Sequence, residues 1–242
     1  MSHPYSFDLS NLKHKFQGYE NLTKNFSQAD QDIFVLSMLD GKRNGSYLEI
    51  GCGHSFKNNN TALLETEFGW HGVSIDVYKP WIDSWSRKNP AVLCNAVDCD
   101  YIKLLTDHAM HAGDLDYLSL DCDPPDQTLK ILYKLPFDKL RFAIITFEHD
   151  CYKDGPLIKQ QSREYLYSLG YELVVSNVSG EALTGDFEDW WVHPNLVNRS
   201  LIDLHKDLRD IPKDYGWYLY NRIPKALENT TWIKEFYQNT SN

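Results

Sequence analysis

The sequence predicts an α/β protein built around a mostly parallel sheet with helices on both faces, and two observations carry that expectation. Between Ser46 and about Val178, short apolar runs rich in β-branched and aromatic residues alternate with longer amphipathic stretches, the signature of repeated βα units. The apolar runs also end in glycine or acidic residues, at the strand ends where open parallel sheets place their ligands. The chain of 242 residues is long enough to bury a sizeable core, and 42% hydrophobic with 24% charged residues is an ordinary globular composition.

The first predicted element is a helix over 28–39 (QADQDIFVLSML), with Ser27 as its N-cap and Ile33, Leu36 and Leu39 on one face. Six strands are then expected at 47–51, 72–77, 91–96, 117–121, 142–148 and 171–177. The intervening helices are expected at 61–68, 81–88, 101–112, 126–133 and 157–169. Pro124-Pro125 and Pro156 suit the first turn of a helix, where a missing N–H costs nothing, and Gly170 suits a helix end. After a turn at Val178-Ser179-Gly180-Glu181, residues 187–192 read as a seventh strand folding back. The organisation is therefore an N-terminal helical extension (1–45), a core (46–194) and a helical, aromatic cap (195–242) that includes Trp217, Trp232, Phe236 and Tyr237, all within one compact domain.

Several function classes drop out on composition. A net charge of −10 argues against a protein whose main task is gripping nucleic acid and for a small or neutral partner. No apolar run approaches the length of a membrane span, and the start MSHPYS lacks the basic and apolar segments of a secretory signal, so a cytoplasmic location is expected. Five cysteines, Cys52, Cys94, Cys99, Cys122 and Cys151, without C-x-x-C spacing read as free thiols. The dinucleotide pattern fails because Phe56 stands where its third glycine belongs, and neither a P-loop nor a G-x-S-x-G elbow occurs.

What remains is an acidic residue on the first strand, a Gly51-x-Gly53 turn and a carboxylate, Asp76, ending the second strand. Such a carboxylate can accept both hydroxyls of a ribose, and the turn admits a ligand close to backbone N–H groups. The segments SQADQD (27–32), YLEIGCG (47–53), NNT (59–61), GWHGVSIDV (69–77), DYLSLDCDPP (116–125) and ITFEHD (145–150) resemble those of FkbM-type S-adenosylmethionine-dependent methyltransferases. The resemblance covers about residues 27–194 and implies the Rossmann-like class I methyltransferase fold with seven strands.

It also implies S-adenosyl-L-methionine as cofactor, with Glu49, Gly51 and Gly53 at the methionine end, Asp76 on the ribose, Asp98 beside the adenine and Gln28 reaching in from the first helix. Members of that family commonly methylate hydroxyl groups of sugars or secondary metabolites, so a small-molecule or glycan acceptor is implied. Where the family usually carries a Glu-Gly pair after the fourth strand, this chain has Cys122-Asp123-Pro124-Pro125.

The acceptor side reads in three ways. Asp121, Glu148 and His149 end the fourth and fifth strands and could together hold Mg²⁺ or another divalent cation that orients and acidifies a hydroxyl. Without a metal, His149 could act as general base, oriented by Asp121 or Asp150. Thirdly, Glu148 and His149 could serve only to finish the strand. Trp190 and Trp191 should face opposite sides of the last strand, one in the core and the other lining the acceptor pocket with Tyr152 and His193. His54 either touches a ligand or sits in a solvated loop. The alternatives to sugar O-methylation are N- or O-methylation of another small molecule, or a cofactor-free binding subunit.

Overall fold

The computed structural model describes residues 9–179, 185–211, 213 and 218–220. Two short 3-10 turns, Leu9–Asn11 and Tyr19–Asn21, lead into α1 (Gln31–Met38) and β1 (Ser46–Ile50). There follow α2 (Ala62–Phe68), β2 (His71–Asp76), α3 (Lys79–Asp83), β3 (Ala91–Leu93), α4 (Tyr101–Asp107) and β4 (Gly113–Leu120). The second half contains α5 (Pro125–Lys134), β5 (Leu140–Glu148), the single turn α6 (Cys151–Asp154), α7 (Leu157–Ser168), β6 (Glu172–Ser179), β7 (Asp186–Val192) and α8 (Arg199–His205).

The seven strands of the described residues join one sheet in the order β3-β2-β1-β4-β5-β7-β6. β7 runs antiparallel to both neighbours, and the remaining pairings are parallel. This is the expected Rossmann-like class I fold. Alternation along the strands feeds two cores: Tyr47, Tyr117 and Ile144 pack with Phe34, Leu63 and Ile202 on one face. Leu48, Leu118 and Ile145 pack with Leu105, Leu132 and Leu166 on the other.

Local chemistry explains where the helices start. The Asn59 side chain accepts from the N–H groups of Thr61 and Ala62 ahead of α2, and Asp100 accepts from Lys103 N–H at the head of α4. Pro125 opens α5, whose Asp126 pairs with Lys130 one turn on at 2.7 Å.

Several elements differ from expectation, among them α4, which ends at Asp107 rather than 112. α1 begins at Gln31 rather than 28, because Asp30 is left-handed (φ 59°). Ser27 does not cap the helix; its hydroxyl donates to the Asp32 carboxylate, which also accepts from the N–H groups of Phe26 and Ile33 and so shapes the entry turn itself. α3 ends at Asp83, well short of 88, and β3 ends at Leu93 before a 3-10 turn (Ala96–Asp98) capped by Asn95.

Trp190 and Trp191 do face opposite sides, but both are fully buried, so neither lines an acceptor pocket. The reason is topological: β7 lies inside the sheet, with helices over both faces. After β7, α8 packs beside β6, and Asp207 and Lys213 form isolated bridges to Val175 and Val178. Tyr218 packs on Trp190 with ring centroids 4.5 Å apart and donates to the carbonyl of Ala29. The expected turn at Gly180-Glu181 and the aromatic residues Trp217, Trp232, Phe236 and Tyr237 lie outside the described residues.

Trp190 touches Phe34 and Tyr218 and is central to its core. Trp190→Ala is expected to lower stability by about 3–5 kcal/mol, read as a lower urea midpoint at unchanged m-value.

Candidate active site

The carboxyl ends of β1, β2 and β4 meet at the switch point of the sheet, and the close approach there admits only glycine. Gly51 has φ 82°, and a Cβ on it would stand 1.6 Å from the carbonyl oxygen of Asp121. Gly53 (φ 56°) donates its N–H to Asp76 Oδ2 at 2.9 Å, while a Cβ there would meet no protein atom within 4 Å. Asp76 Oδ1 accepts from Tyr78 N–H at 2.8 Å, so its carboxylate is fixed from two sides.

A cavity of about 460 Å³ opens at this point, within the usual range of small-molecule sites. Gly51, Gly53 and Asp76 contribute one part of its lining, and Val77, Tyr78 and Trp81 the next. Those three apolar side chains are 67%, 54% and 37% exposed, so their surfaces are open to a ligand. Residues 94–97 form a further stretch of wall, and Asp121, Cys122 and Asp123 an acidic end.

The sequence-predicted residues divide around this cavity. Gly51, Gly53, Asp76 and Asp121 line it. Glu49 does not: it is buried, accepting from Ser74 Oγ at 2.6 Å, with Arg87 Nη2 at 3.7 Å. Asp98 is exposed and accepts from Asn95 Nδ2 at 2.7 Å, and Asn95 rather than Asp98 forms the lining. Gln28 is exposed and precedes α1 instead of reaching in; the inward glutamine is Gln31, whose Nε2 donates to Glu188 Oε2 at 3.0 Å. His54 is an exposed loop residue whose Nδ1 accepts from the N–H groups of Phe56 and Lys57.

His149 is fully buried and is not among the lining residues. Its Nδ1 accepts from Cys151 N–H at 3.2 Å, and its Nε2 lies 3.6 Å from Asp189 Oδ1. The carboxylate facing it is therefore Asp189, not Asp121 or Asp150. Burial alone would raise Asp189, but the two-pronged Arg163 guanidinium (2.6 and 2.9 Å) and His149 hold it well below the usual carboxylate range. Glu148 is half-buried, opposite Glu188 in register. Among the described residues no three His, Cys, Asp or Glu side chains come together as a metal-holding group, so the expected Asp121, Glu148 and His149 cation site is not formed. His193 lies at the far end of the sheet, stacked edge-on against Tyr171, and Tyr152 is exposed on α6.

Three groups that the sequence did not single out shape the site. Arg87, just past α3, turns inward: Nε stands 3.0 Å from Glu65 Oε2, and its Nη atoms donate to Asn59, Tyr47 and Thr61 at 2.5–2.9 Å. Glu188 and Asp189 arrive from β7, whose reversed direction carries its first residues to the carboxyl ends of the parallel strands. Their signal in the sequence was a fold-back strand with carboxylates in its first half.

Carboxyl groups at the acidic end and close behind it are shifted towards the protonated form. Burial, reinforced by Asp123 and Asp150, pushes Asp121 up to about 7. Burial and the nearby Asp121 push Glu188 up to about 8, against the opposing hydrogen bonds of Trp190 and Gln31. Burial also raises Asp150, although Lys153 stands 3.4 Å away.

Strand order and cavity position together define a class I methyltransferase fold. No family model matches the chain, and no curated protein matches its sequence. Among solved structures it is similar to a SAM-dependent methyltransferase from Aquifex aeolicus, at 13% identity and TM-score 0.48, covering 69% of this chain and 90% of that one. It is also similar to a candidate rRNA-methylase from Clostridium thermocellum (15% identity, TM-score 0.46, 71% and 97% covered). A third is the sugar N-methyltransferase KedS8 from Streptoalloteichus sp. ATCC 53650 (13% identity, TM-score 0.33, 53% and 50% covered). The fold assignment rests on the strand order itself.

Two stability predictions follow from this chemistry. Removing one partner of a buried ion pair costs about 3–5 kcal/mol, and Arg87→Met is expected to show a loss of that size in urea unfolding at pH 7. Glu188 keeps its proton in the folded state at pH 6 and loses it in the unfolded one, so it contributes a stability that declines as pH rises towards 8. Glu188→Gln is expected to remove about 1.4 kcal/mol per pH unit of that negative slope near pH 6, measured by urea unfolding between pH 5 and 7.

Proposed function

We propose that this protein transfers a methyl group from S-adenosyl-L-methionine to a hydroxyl oxygen of a small acceptor, with a sugar or glycan as the acceptor class. The observation that carries this reading is the cavity at the carboxyl ends of β1, β2 and β4, with Asp76 anchored at its edge. The lining fits the cofactor. Asp76, held by the N–H groups of Gly53 and Tyr78, presents a carboxylate for the two ribose hydroxyls. Val77, Tyr78 and Trp81 offer exposed apolar surface for a nucleobase, and the missing side chain at Gly53 leaves room for the methionine portion.

The bound cofactor would supply an electrophilic methyl on a sulfonium centre. The chain's own contribution is chiefly orientation of the two reactants. Asp121 lines the cavity, and a carboxyl pushed up to about 7 is matched to taking a hydroxyl proton near neutral pH. His149, set between Cys151 and Asp189, is assigned to holding the turn after β5 that carries Asp150.

The acidic end supports a second acceptor class. Asp123 and Asp150 share Lys153 as an ion-pair partner, at 3.5 and 3.4 Å, and a carboxylate-rich end also suits an amine that binds as the cation and gives up its proton before methyl transfer. The net charge of −10 supports a small acceptor over a nucleic acid. Side-by-side turnover on sugar and amine acceptors separates the two classes.

The primary test is a thermal-shift titration with S-adenosylhomocysteine. At a hundredfold excess over Kd a ligand of the folded state adds about 2.7 kcal/mol, which for a chain of this size raises Tm by about 5–10 °C. Asp76→Ala is expected to weaken binding about ten- to a hundredfold. No shift at millimolar ligand would overturn the cofactor reading and make a cofactor-free binding subunit the leading one.

A further inference from the structure

Behind the acidic end of the cavity runs a series of hydrogen bonds that starts at residues 218–220. Glu188 is buried, and its Oε2 accepts twice, from Gln31 Nε2 at 3.0 Å and from Trp190 Nε1 at 2.5 Å. Both donors lead to Tyr218, which is itself fully buried. Gln31 Oε1 accepts from Ala29 N–H at 2.8 Å, and the carbonyl of the same Ala29 accepts from the Tyr218 hydroxyl at 2.8 Å. The Tyr218 ring also stands edge-on against the Trp190 indole, with centroids 4.5 Å apart. On either side of that contact, the Leu219 carbonyl accepts from Lys13 N–H and the Tyr220 hydroxyl donates to Asp30.

At the other end of the series stands Asp121. Ser119, Thr146 and Trp190 share one level across β4, β5 and β7, and Glu148 and Glu188 pair one level further on, where Asp121 follows β4. A step of two residues keeps side chains on one face, so Glu188 and Asp121 lie on the same side of the sheet, where their charges interact.

We propose that Gln31 and Tyr218 are positioning residues for the acidic end: through Tyr218, residues 218–220 fix both donors of Glu188 and so set that carboxyl group beside Asp121. Without the Tyr218 hydroxyl the Ala29 peptide and Gln31 lose their anchor, and a buried carboxyl with poorer donors favours its protonated form. The titratable groups around Glu188 are Asp121 and the Tyr117 hydroxyl from β4 and Glu148 from β5, while α1 contributes the uncharged Gln31, flanked by Asp30 and Asp32. Neighbouring carboxyls titrate as a pair, so the setting of Glu188 reaches Asp121, the group that takes the hydroxyl proton in the proposed function. Only that last step rests on the proposed function; the hydrogen-bond series does not.

The test follows the Glu188 carboxyl by carbon-13 NMR in the full chain labelled at glutamate side chains, its resonance assigned by its loss in Glu188→Gln. In the unaltered protein its midpoint is expected at about 8. Gln31→Met removes a donor at similar volume and should raise the midpoint by about one unit, and Tyr218→Phe, which keeps the ring and removes only the hydroxyl, should raise it by about half a unit. The control is Tyr171→Phe, which takes an acceptor hydroxyl away from Phe142 N–H at the far end of the sheet and should leave the midpoint in place. An unmoved midpoint in Tyr218→Phe, or an equal rise in Tyr171→Phe, would overturn the proposal. Tyr218→Phe decides alone if Gln31→Met does not fold. If S-adenosylhomocysteine leaves the melting temperature unchanged, the cofactor reading fails while the titration still decides the positioning.

Discussion

The buried guanidinium of Arg87 is the interaction on which the geometry around the cavity depends. It ties together β1 through Tyr47 and Glu49, the glycine-turn loop through Asn59 and Thr61, α2 through Glu65 and β2 through Ser74. Taking such a group out of water is expensive, and its partners return that expense only if their positions are accurate. The loop that carries Gly51 and Gly53 is thus set from beneath by charge, while above it faces open space. Asp76 completes the arrangement by holding Gly53 and Tyr78 in place. Rigid backbone below and open volume above are what a preorganised ligand site requires.

The other end of the cavity is organised by opposite logic. Asp121, which lines it, and the buried Glu188 nearby hold protons at a pH where exposed carboxyls have lost theirs, and burial shifts Asp150 in the same direction. Stability is forgone there in return for groups able to exchange a proton near neutrality, a distribution expected of reactive sites. Asp189, one residue from Glu188, is driven the other way by Arg163 and His149. Neighbours on one strand reach opposite ionisation because their side chains enter opposite layers.

Much of this was legible in the sequence, for identifiable reasons. Strands buried on both faces read as apolar runs, so their centres were clear; glycines forced by contact with a neighbouring strand stood out at positions 51 and 53. Boundaries failed where a side chain overrides local preference. Asp32 gathers the N–H groups ahead of α1 and delays its start, and α3 stops at Asp83, short of the expected 88, where Arg87 turns into the core. His149 was visible but its partner was not, because Asp189 comes from a strand whose place in the sheet no periodicity reveals. The same ignorance of strand order assigned a pocket to one of two tryptophans that are both interior.

The place of β7 has a consequence for the order of assembly. The last strand among the described residues is not at an edge; it is wedged between β5 and β6, which have no pairing with each other. During synthesis from the N-terminus, both strands emerge with unpaired flanks that stay open until residue 192 is available. Exposed strand flanks of this kind recruit other chains. A nascent or truncated product ending before residue 186 would carry two such flanks and lack Glu188 and Asp189. Closure of the sheet and the arrival of Glu188 beside Asp121 are therefore one event, and the cavity gains its buried carboxyl neighbour at the moment the chain ceases to be adhesive.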